Sequence, residues 1–528
     1  MLKYWKFIGD KNMIVDVQNV SHGFGARRIL DNVSFKLNPG EHIGLVGANG
    51  EGKSTFINIL TNNLIPDEGR IIWSKRVTTG YLDQHTTLTP GKTIRGVLRD
   101  AFDEMFEMEK QMMQMYEEMC DCSEERMNEL MEEVGEIQSM LDSCGFYELD
   151  SKIEEVASGM GIKGDMLERD VTELSGGQRS KVLLVKVLLQ NPKILILDEP
   201  TNFLDEDHIR WLTRFLQNYE GSFLLVSHDT SFLNNVVNII YHLDNGVMTK
   251  YSGNYDNFVS MYELKKKQLE QAYTRQQKEI EKMETFIAKN KARIATTTMA
   301  RSRQRQLDRM ERIELVREKP KATFKFKEAR TPGRVIIEAK DIILGYDSPL
   351  TTPLNFWIER NKKIAIKGVN GIGKSTLLKT MFGIIEPLSG EIIKDPFLEV
   401  GYFAQEEKPS NKTALDEVWD LYPTMTNYEV RAALANCGLT TTHIESMMKV
   451  LSGGENARVR LCKLMLSPCN VLVLDEPTNH LDVDAKQSLK EALQSFKGTI
   501  VLVSHEPEFY NDIVDEVWNA ESWSTKLI

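Results

Sequence analysis

The 528-residue chain has no apolar run of the ~18 residues that a membrane-spanning helix needs, which sets aside an integral membrane protein. Its opening, Met1-Leu-Lys-Tyr-Trp-Lys-Phe-Ile-Gly-Asp10, lacks a long apolar core and a small-residue cleavage site, so no secretory signal is expected. Cysteines number only 6, at scattered positions that suit a reducing cytoplasm. Cys120, Cys122 and Cys144 come nearest to a cluster, but no histidine joins them at ligand spacing, and free thiols are expected there. Positive charge is short overall, with a formal net charge of −12. Leu264–Arg330 reverses that balance, with 20 Lys/Arg against 9 Asp/Glu, so the rest of the chain sums to −23. An acidic protein that gathers its positive charge in one segment aims that segment at a polyanion.

Within the basic segment Leu269, Tyr273, Ile280, Met283 and Ile287 follow a 3/4 spacing, with Gln276 at the missing step, which predicts one stripe of a helix. Leu307, Met310, Ile313 and Val316 repeat every third residue on a second helix. The stretch from Lys289 to Arg301 is basic and Thr-rich, and Thr lowers helix propensity. Two antiparallel helices with a basic tip are expected, and ~30 helical residues reach ~45 Å. That length carries Lys289, Lys291, Arg293, Arg301, Arg303 and Arg305 away from a globular body. The alternative is a solvated linker, and the flanks decide between them.

On the N-terminal side, the apolar stretch ending in Val46 leads into Gly47-Ala48-Asn49-Gly50-Glu51-Gly52-Lys53-Ser54-Thr55. This Gly-x4-Gly-Lys-Ser pattern turns backbone N–H groups onto phosphate oxygens, aims Lys53 at the β/γ-phosphates and offers the Ser54 hydroxyl to Mg²⁺. Gln84 follows the strand-like Thr79–Asp83, and Leu174-Ser175-Gly176-Gly177-Gln178 opens a helix. Asp198 and Glu199 end the apolar run Ile194–Leu197, and His228 ends Phe223-Leu-Leu-Val-Ser. Asp198 is suited to hold Mg²⁺ through water and Glu199 to polarise an attacking water. The same order recurs on the C-terminal side. Gly368-Val369-Asn370-Gly371-Ile372-Gly373-Lys374-Ser375-Thr376 is followed by Gln405, Leu451-Ser452-Gly453-Gly454-Glu455, Asp475-Glu476 and His505. Each short motif alone is weak; their repeated order is not.

These residues resemble two nucleotide-binding cassettes of the ABC ATPase superfamily, over nearly the whole chain outside the basic segment. The resemblance implies an α/β fold with two P-loop cassettes in tandem, stacked head to tail with ATP and Mg²⁺ between them. Lys53, Ser54, Gln84, Asp198, Glu199 and His228 would then face Ser452 and Gly454. Lys374, Ser375, Gln405, Asp475, Glu476 and His505 would face Ser175 and Gly177. Glu199, Glu476, His228 and His505 take the catalytic positions. Ser54, Gln84, Asp198, Ser375, Gln405 and Asp475 take those of the metal, and Phe24 and Tyr346 those of an aromatic against adenine. Two departures stand out: Phe203 where the second half has His480, and Glu455 where the first half has Gln178. Both sites are expected to bind and hydrolyse ATP, unequally if those departures matter.

The halves also differ in length. Lys53 and Ser175 are 122 residues apart and Lys374 and Ser452 only 78, so the first cassette carries 44 extra residues. There Met105, Met108, Met112, Met115 and Met119 form one seam, and Met127, Leu130, Val134, Ile137 and Leu141 another. A helical hairpin is expected, with Ser123 capping its second helix. Residues 100–150 hold 17 acids and 2 bases, so a basic protein surface suits this arm and a nucleic acid backbone does not. The expected domains are 13–262, with the arm at about 98–145, the linker at 263–333, and 334–528. Residues 1–12 carry no motif and are expected to add little.

Two cassettes without membrane helices, an arm in the first and a basic helical linker together resemble the ABC-F family. That resemblance implies a cytoplasmic ATPase bound at the ribosomal tRNA exit site, its linker reaching toward P-site tRNA, the large-subunit rRNA and the peptidyl-transferase centre. The acidic arm would meet a basic ribosomal protein. Within the family, a general translation factor and an antibiotic-resistance ribosome-protection ATPase compete, and the short turn near Lys289–Ala300 favours the former. An ATPase subunit of a membrane transporter is the alternative from another class.

Overall fold

The computed structural model describes residues 5–8, 13–24, 27–75, 77–82, 88, 90–120, 123–174, 176–202, 204–290, 297–310, 312, 322–346, 348–369, 371–405, 410–479 and 481–523. Gln84, Cys122, Ser175, Phe203, Lys291, Arg293, Ile313, Val316, Asn370 and His480, all singled out above, lie outside the described residues.

The apolar runs that flank the motifs become central strands. In the first half a six-stranded sheet runs in the order Val247–Ser252, Ile239–Asp244, His42–Val46, Ser222–Val226, Ile194–Asp198, Thr79–Leu82. All neighbours are parallel except the Val247–Ser252 edge strand. Strands covered by helices on both faces can be apolar at every position, and Ile194–Leu197 and Phe223–Leu225 are fully buried. The second half repeats the order with Val400–Phe403, Val471–Asp475, Thr499–Val503, Lys363–Lys367 and Glu516–Asn519. The registers Asp198↔Val226 and Asp475↔Val503 bring each carboxylate to the strand end where the histidine segment also leaves the sheet. Parallel strands thus deliver the repeated motifs to one edge, the usual ligand edge of such sheets. Each half adds a largely antiparallel sheet, built on Val15–Phe24 in the first and Val335–Ile343 in the second.

Two boundaries differ from expectation, and the linker's first helix starts ahead of its own boundary. Trp5–Ile8, placed outside the first cassette by a start at Met13, pairs as a parallel edge strand with Glu68–Ser74, in register from Trp5↔Ile71 to Ile8↔Ser74. The linker's first helix begins at Tyr255, inside the first cassette, where Phe258 packs into the core beside Tyr251. At the other end Ala322, Phe324 and Phe326 lie in the core of the second cassette, and Lys327–Glu328 pairs with Pro468–Cys469. Residues 322–330 therefore pack with the second cassette, although the 263–333 span assigned them to the linker.

The linker is otherwise a helical hairpin. Tyr255–Asn290 packs against Thr297–Asp308, with Ile280, Met283 and Leu307 buried between them. Thirty-six residues of helix extend ~54 Å at 1.5 Å each. Lys289, Arg301, Arg303 and Arg305 are exposed at its distal end. Leu269 is exposed, although it belongs to the seam. The arm consists of Asp103–Glu118 packed on Glu124–Ser143, with Met112, Leu130, Val134 and Leu141 buried along the seam. Ser123 occupies the N-cap with extended backbone, but its side chain makes no capping hydrogen bond.

Candidate active site

Both phosphate loops are built alike. The strand His42–Val46 ends at Gly47, and Gly52, at φ 102°, starts the helix Lys53–Leu60. Gly373, at φ 111°, starts Lys374–Met381 in the same way, a backbone conformation that favours glycine. Lys53 Nζ donates to Gly47 O at 2.7 Å and Ala48 O at 3.1 Å. Lys374 Nζ donates to Gly368 O and Val369 O at the same two distances. Each ammonium is folded back into its own loop, where phosphate oxygens would compete for it. Burial holds both lysines below the ordinary ammonium range. Glu199 and then Asp198 pull Lys53 back up, as Glu476 and then Asp475 do for Lys374.

Glu199 and Glu476 both sit at φ 49°, a left-handed conformation costly for a residue with a side chain. A hydrogen bond from Glu199 N to Val226 O at 2.9 Å, and from Glu476 N to Val503 O at 3.0 Å, ties each to the next strand. The strain turns each carboxylate inward toward its histidine. His228 Nε2 lies 3.5 Å from Glu199 Oε1, and His505 Nε2 lies 3.2 Å from Glu476 Oε1. His505 Nε2 is also 3.0 Å from Lys374 Nζ. Burial, and then Lys374, push His505 down to about 3, so the ring is neutral.

Burial raises Glu199 to about 7, with Asp198 adding to the rise, and raises Glu476 to about 8 against the pull of Lys374. Such a folded-state acid keeps a proton that the unfolded chain gives up near ~4.3. Stability is therefore lost as pH rises through that window, toward about 7 for Glu199 and about 8 for Glu476, and is level above it. Between pH 5 and 9 the thermal midpoint should fall, and it should fall less, by a few °C, for Glu476→Gln, which has no proton to lose. Parallel curves for the two proteins would refute the assignment.

At two of the positions expected for the metal, a hydroxyl and a carboxylate come together. Ser54 Oγ is 3.2 Å from Asp198 Oδ2, and Asp475 hydrogen-bonds Ser375. Asp475 Oδ1 is buried without a hydrogen-bond partner, an arrangement that suits a cation. Among the described residues no group of three His, Cys, Asp or Glu gathers as a protein-only metal cage. A hydroxyl with one carboxylate fits Mg²⁺, which keeps most of its ligands as phosphate and water. Gln405 is exposed near the end of its strand, and Phe24 and Tyr346 are 56% and 57% exposed. An exposed ring is free to stack on a base.

The halves face each other. A β-carbon built on Gly50 would stand 3.1 Å from Glu455 Oε1, which brings the helix start Ser452–Glu455 against the first phosphate loop. Asp482 acts on Lys53, and Asp205 acts on Lys374 and His505. Neither aspartate was among the candidates. Their signal was present, because each follows its glutamate by six residues, in Leu-Asp. Arg458 holds Asp482 at 2.5 Å. Burial pushes Asp205 up, but His208 at 2.5 Å and Lys181 at 3.9 Å hold it at about 2.

Comparison with known proteins agrees with this geometry. Family profiles described as ABC transporter match residues 30–202 and 351–479, and a further one of the same description matches 241–326. The uncharacterized ABC transporter ATP-binding protein YfmM of Bacillus subtilis is 58% identical over 98% of this chain and 100% of its own length. ABC transporter F family member 2 of Arabidopsis thaliana is 34% identical over 95% of this chain and 76% of its own. The probable ATP-binding protein YbiT of Escherichia coli is 31% identical over 94% of both. Among solved structures, RNase-L inhibitor superposes with a TM-score of 0.56 at 20% identity, covering 95% of this chain and 87% of that one. The archaeal recycling factor aABCE1, solved in complex with the ribosomal stalk protein aP1, gives 0.54 at 19%, with 95% and 87% covered. These two share the fold. Paired ATP-binding cassettes make the chain an ATPase. With cassettes, linker and relatives all in agreement, the chain belongs to the ABC-F family.

Proposed function

We propose that the chain is a translation factor that binds the ribosome at the tRNA exit site and hydrolyses ATP there. The observation that carries this reading is the segregated charge: an acidic body bears a basic hairpin whose exposed distal end holds Lys289, Arg301, Arg303 and Arg305. Phosphates of P-site tRNA and large-subunit rRNA are the polyanions that such an end is shaped to meet, near the peptidyl-transferase centre. The acidic arm turns toward a basic ribosomal protein. Among the fold neighbours, archaeal ABCE1 has been described together with Pelota bound to a ribosome. Among the described residues no helix is long and apolar enough to cross a membrane, and the cytoplasm is the proposed location.

Each ATP lies between one phosphate loop and the opposite signature segment, Ser452–Glu455 for the first site and Ser175–Gln178 for the second. Lys53 and Lys374 leave their backbone carbonyls for phosphate oxygens. Ser54 with Asp198, and Ser375 with Asp475, together with Gln84 and Gln405, would hold Mg²⁺, which would supply positive charge to the β- and γ-phosphates. Glu199 and Glu476 take a proton from the attacking water, and His228 and His505 orient them. Phe24 and Tyr346 cover adenine. Closure by ATP holds the factor on the ribosome, and hydrolysis releases it.

The turn between the linker helices spans about Lys289–Ala300 in the sequence. A tip this short favours a general factor over drug displacement. Co-sedimentation tests the whole reading: with a non-hydrolysable ATP analogue the protein should pellet with ribosomes and stay in the supernatant with membrane vesicles. The opposite partition would support a transporter subunit.

A further inference from the structure

The second half departs from the first at two positions on the same short path. Glu455 stands where the first half has Gln178. Nine residues before the signature serine, the second half has His443 and the first has Met166. The structure brings both departures together. His443 Nε2 lies 3.2 Å from Glu455 Oε1, with both side chains largely buried. Glu455 Oε2 accepts from Ser452 N at 2.9 Å, so that oxygen is committed to the helix cap. The other, Oε1, faces the first phosphate loop beside Gly50.

A buried carboxylate aimed at a phosphate loop repels a triphosphate unless a neighbouring group holds it in place and draws on its charge. His443 is built for that. Its Nδ1 is approached by Thr440 N at 3.5 Å, which casts Nδ1 as acceptor and leaves the hydrogen on Nε2, toward Glu455. Thr440 caps the helix Thr441–Glu445 through the His443 amide, which fixes where the ring stands. Gln178, an uncharged amide, needs no such partner, and Met166 offers none.

We propose that His443 is a positioning residue that holds Glu455 at the rim of the Lys53 phosphate loop, and that this pair makes the first ATP site differ from the second in nucleotide affinity. The inference rests on the head-to-tail arrangement of the two ATP sites.

Equilibrium titration with a non-hydrolysable ATP analogue reads both sites without relying on catalysis. His443→Met should weaken one of the two binding steps about tenfold, the loss of a close polar partner to a buried charged group, and leave the other in place. On Glu455→Gln the same change should do nothing, because the double variant carries the Gln and Met of the first half. Turnover adds a second readout. In Glu476→Gln, where the first site alone turns over, His443→Met should raise KM about tenfold with kcat within about twofold. In Glu199→Gln it should change neither. A thermal midpoint unchanged by His443→Met would exclude general misfolding as the cause. An equal loss of affinity with and without Glu455→Gln, a loss at both steps, or no loss at all would overturn the proposal. Single Glu→Gln variants that keep full turnover would instead count against the catalytic assignment, and the titration would still judge His443.

Discussion

Replacing Glu199 and Glu476 together by Gln is expected to lower ATP turnover on the order of 10²–10⁴-fold, the usual worth of a general base. Shape and hydrogen bonding survive the change, and only the proton acceptor is lost. Both carboxyls are buried and raised, to about 7 and about 8, so each is poised near neutral pH. Gln also removes a buried acid facing the phosphates, so ATP should bind at least as well as before. A protein that binds but does not hydrolyse stays closed, and on the proposed reading it accumulates on ribosomes and arrests translation. Single variants should each retain part of the turnover, and their difference measures the inequality of the two sites. Near-normal hydrolysis by the double variant would remove Glu199 and Glu476 from the chemistry.

Much of this site was legible because phosphate binding constrains backbone as well as side chain. Gly50, Gly52, Gly371 and Gly373 all adopt positive φ, and a loop that demands glycines at set intervals writes itself into the sequence. The parallel strands were legible for a similar reason, since burial on both faces forbids polar residues in Ile194–Leu197 and Val471–Leu474. The arm's seam followed from helical periodicity, and Met112 and Leu141 are buried along it.

The features that local pattern does not show depend on long-range partners. Trp5–Ile8 alternates poorly and gains its hydrogen bonds only from Glu68–Ser74, far along the chain. The positive φ of Glu199 and Glu476 leaves no trace in residue type, because it serves direction and not packing. Asp205 and Asp482 act on the opposite half, a relation that no local pattern encodes. The end of the linker was readable in principle. Ala322, Phe324 and Phe326 alternate with Thr323, Lys325 and Lys327, the period of a half-buried strand, but the lysines also extend the basic run and so mask the change.

Neutralising the hairpin tip is the change expected to act most strongly on ribosome engagement. Lys289, Lys291, Arg293, Arg301, Arg303 and Arg305 changed to Gln should weaken binding and flatten its salt dependence, by about 0.7–0.9 in the log–log slope for each phosphate left unneutralised. Arg303 calls for a separate variant. Its guanidinium lies 5.1 Å from the centre of the Phe286 ring on the neighbouring helix, so it also helps to hold the hairpin together. Arg303→Lys keeps the charge and loses the flat stacking surface, which separates the two roles. ATP turnover by the free protein should not change, because a helix ~54 Å long keeps the tip far from both phosphate loops. Residual binding through the cassettes and arm should leave translation impaired, since the tip would no longer hold tRNA. A drug-free translation defect would favour the general factor, and loss of drug tolerance alone would favour ribosome protection. An unchanged salt slope with full activity would reduce the basic hairpin to a spacer between the cassettes.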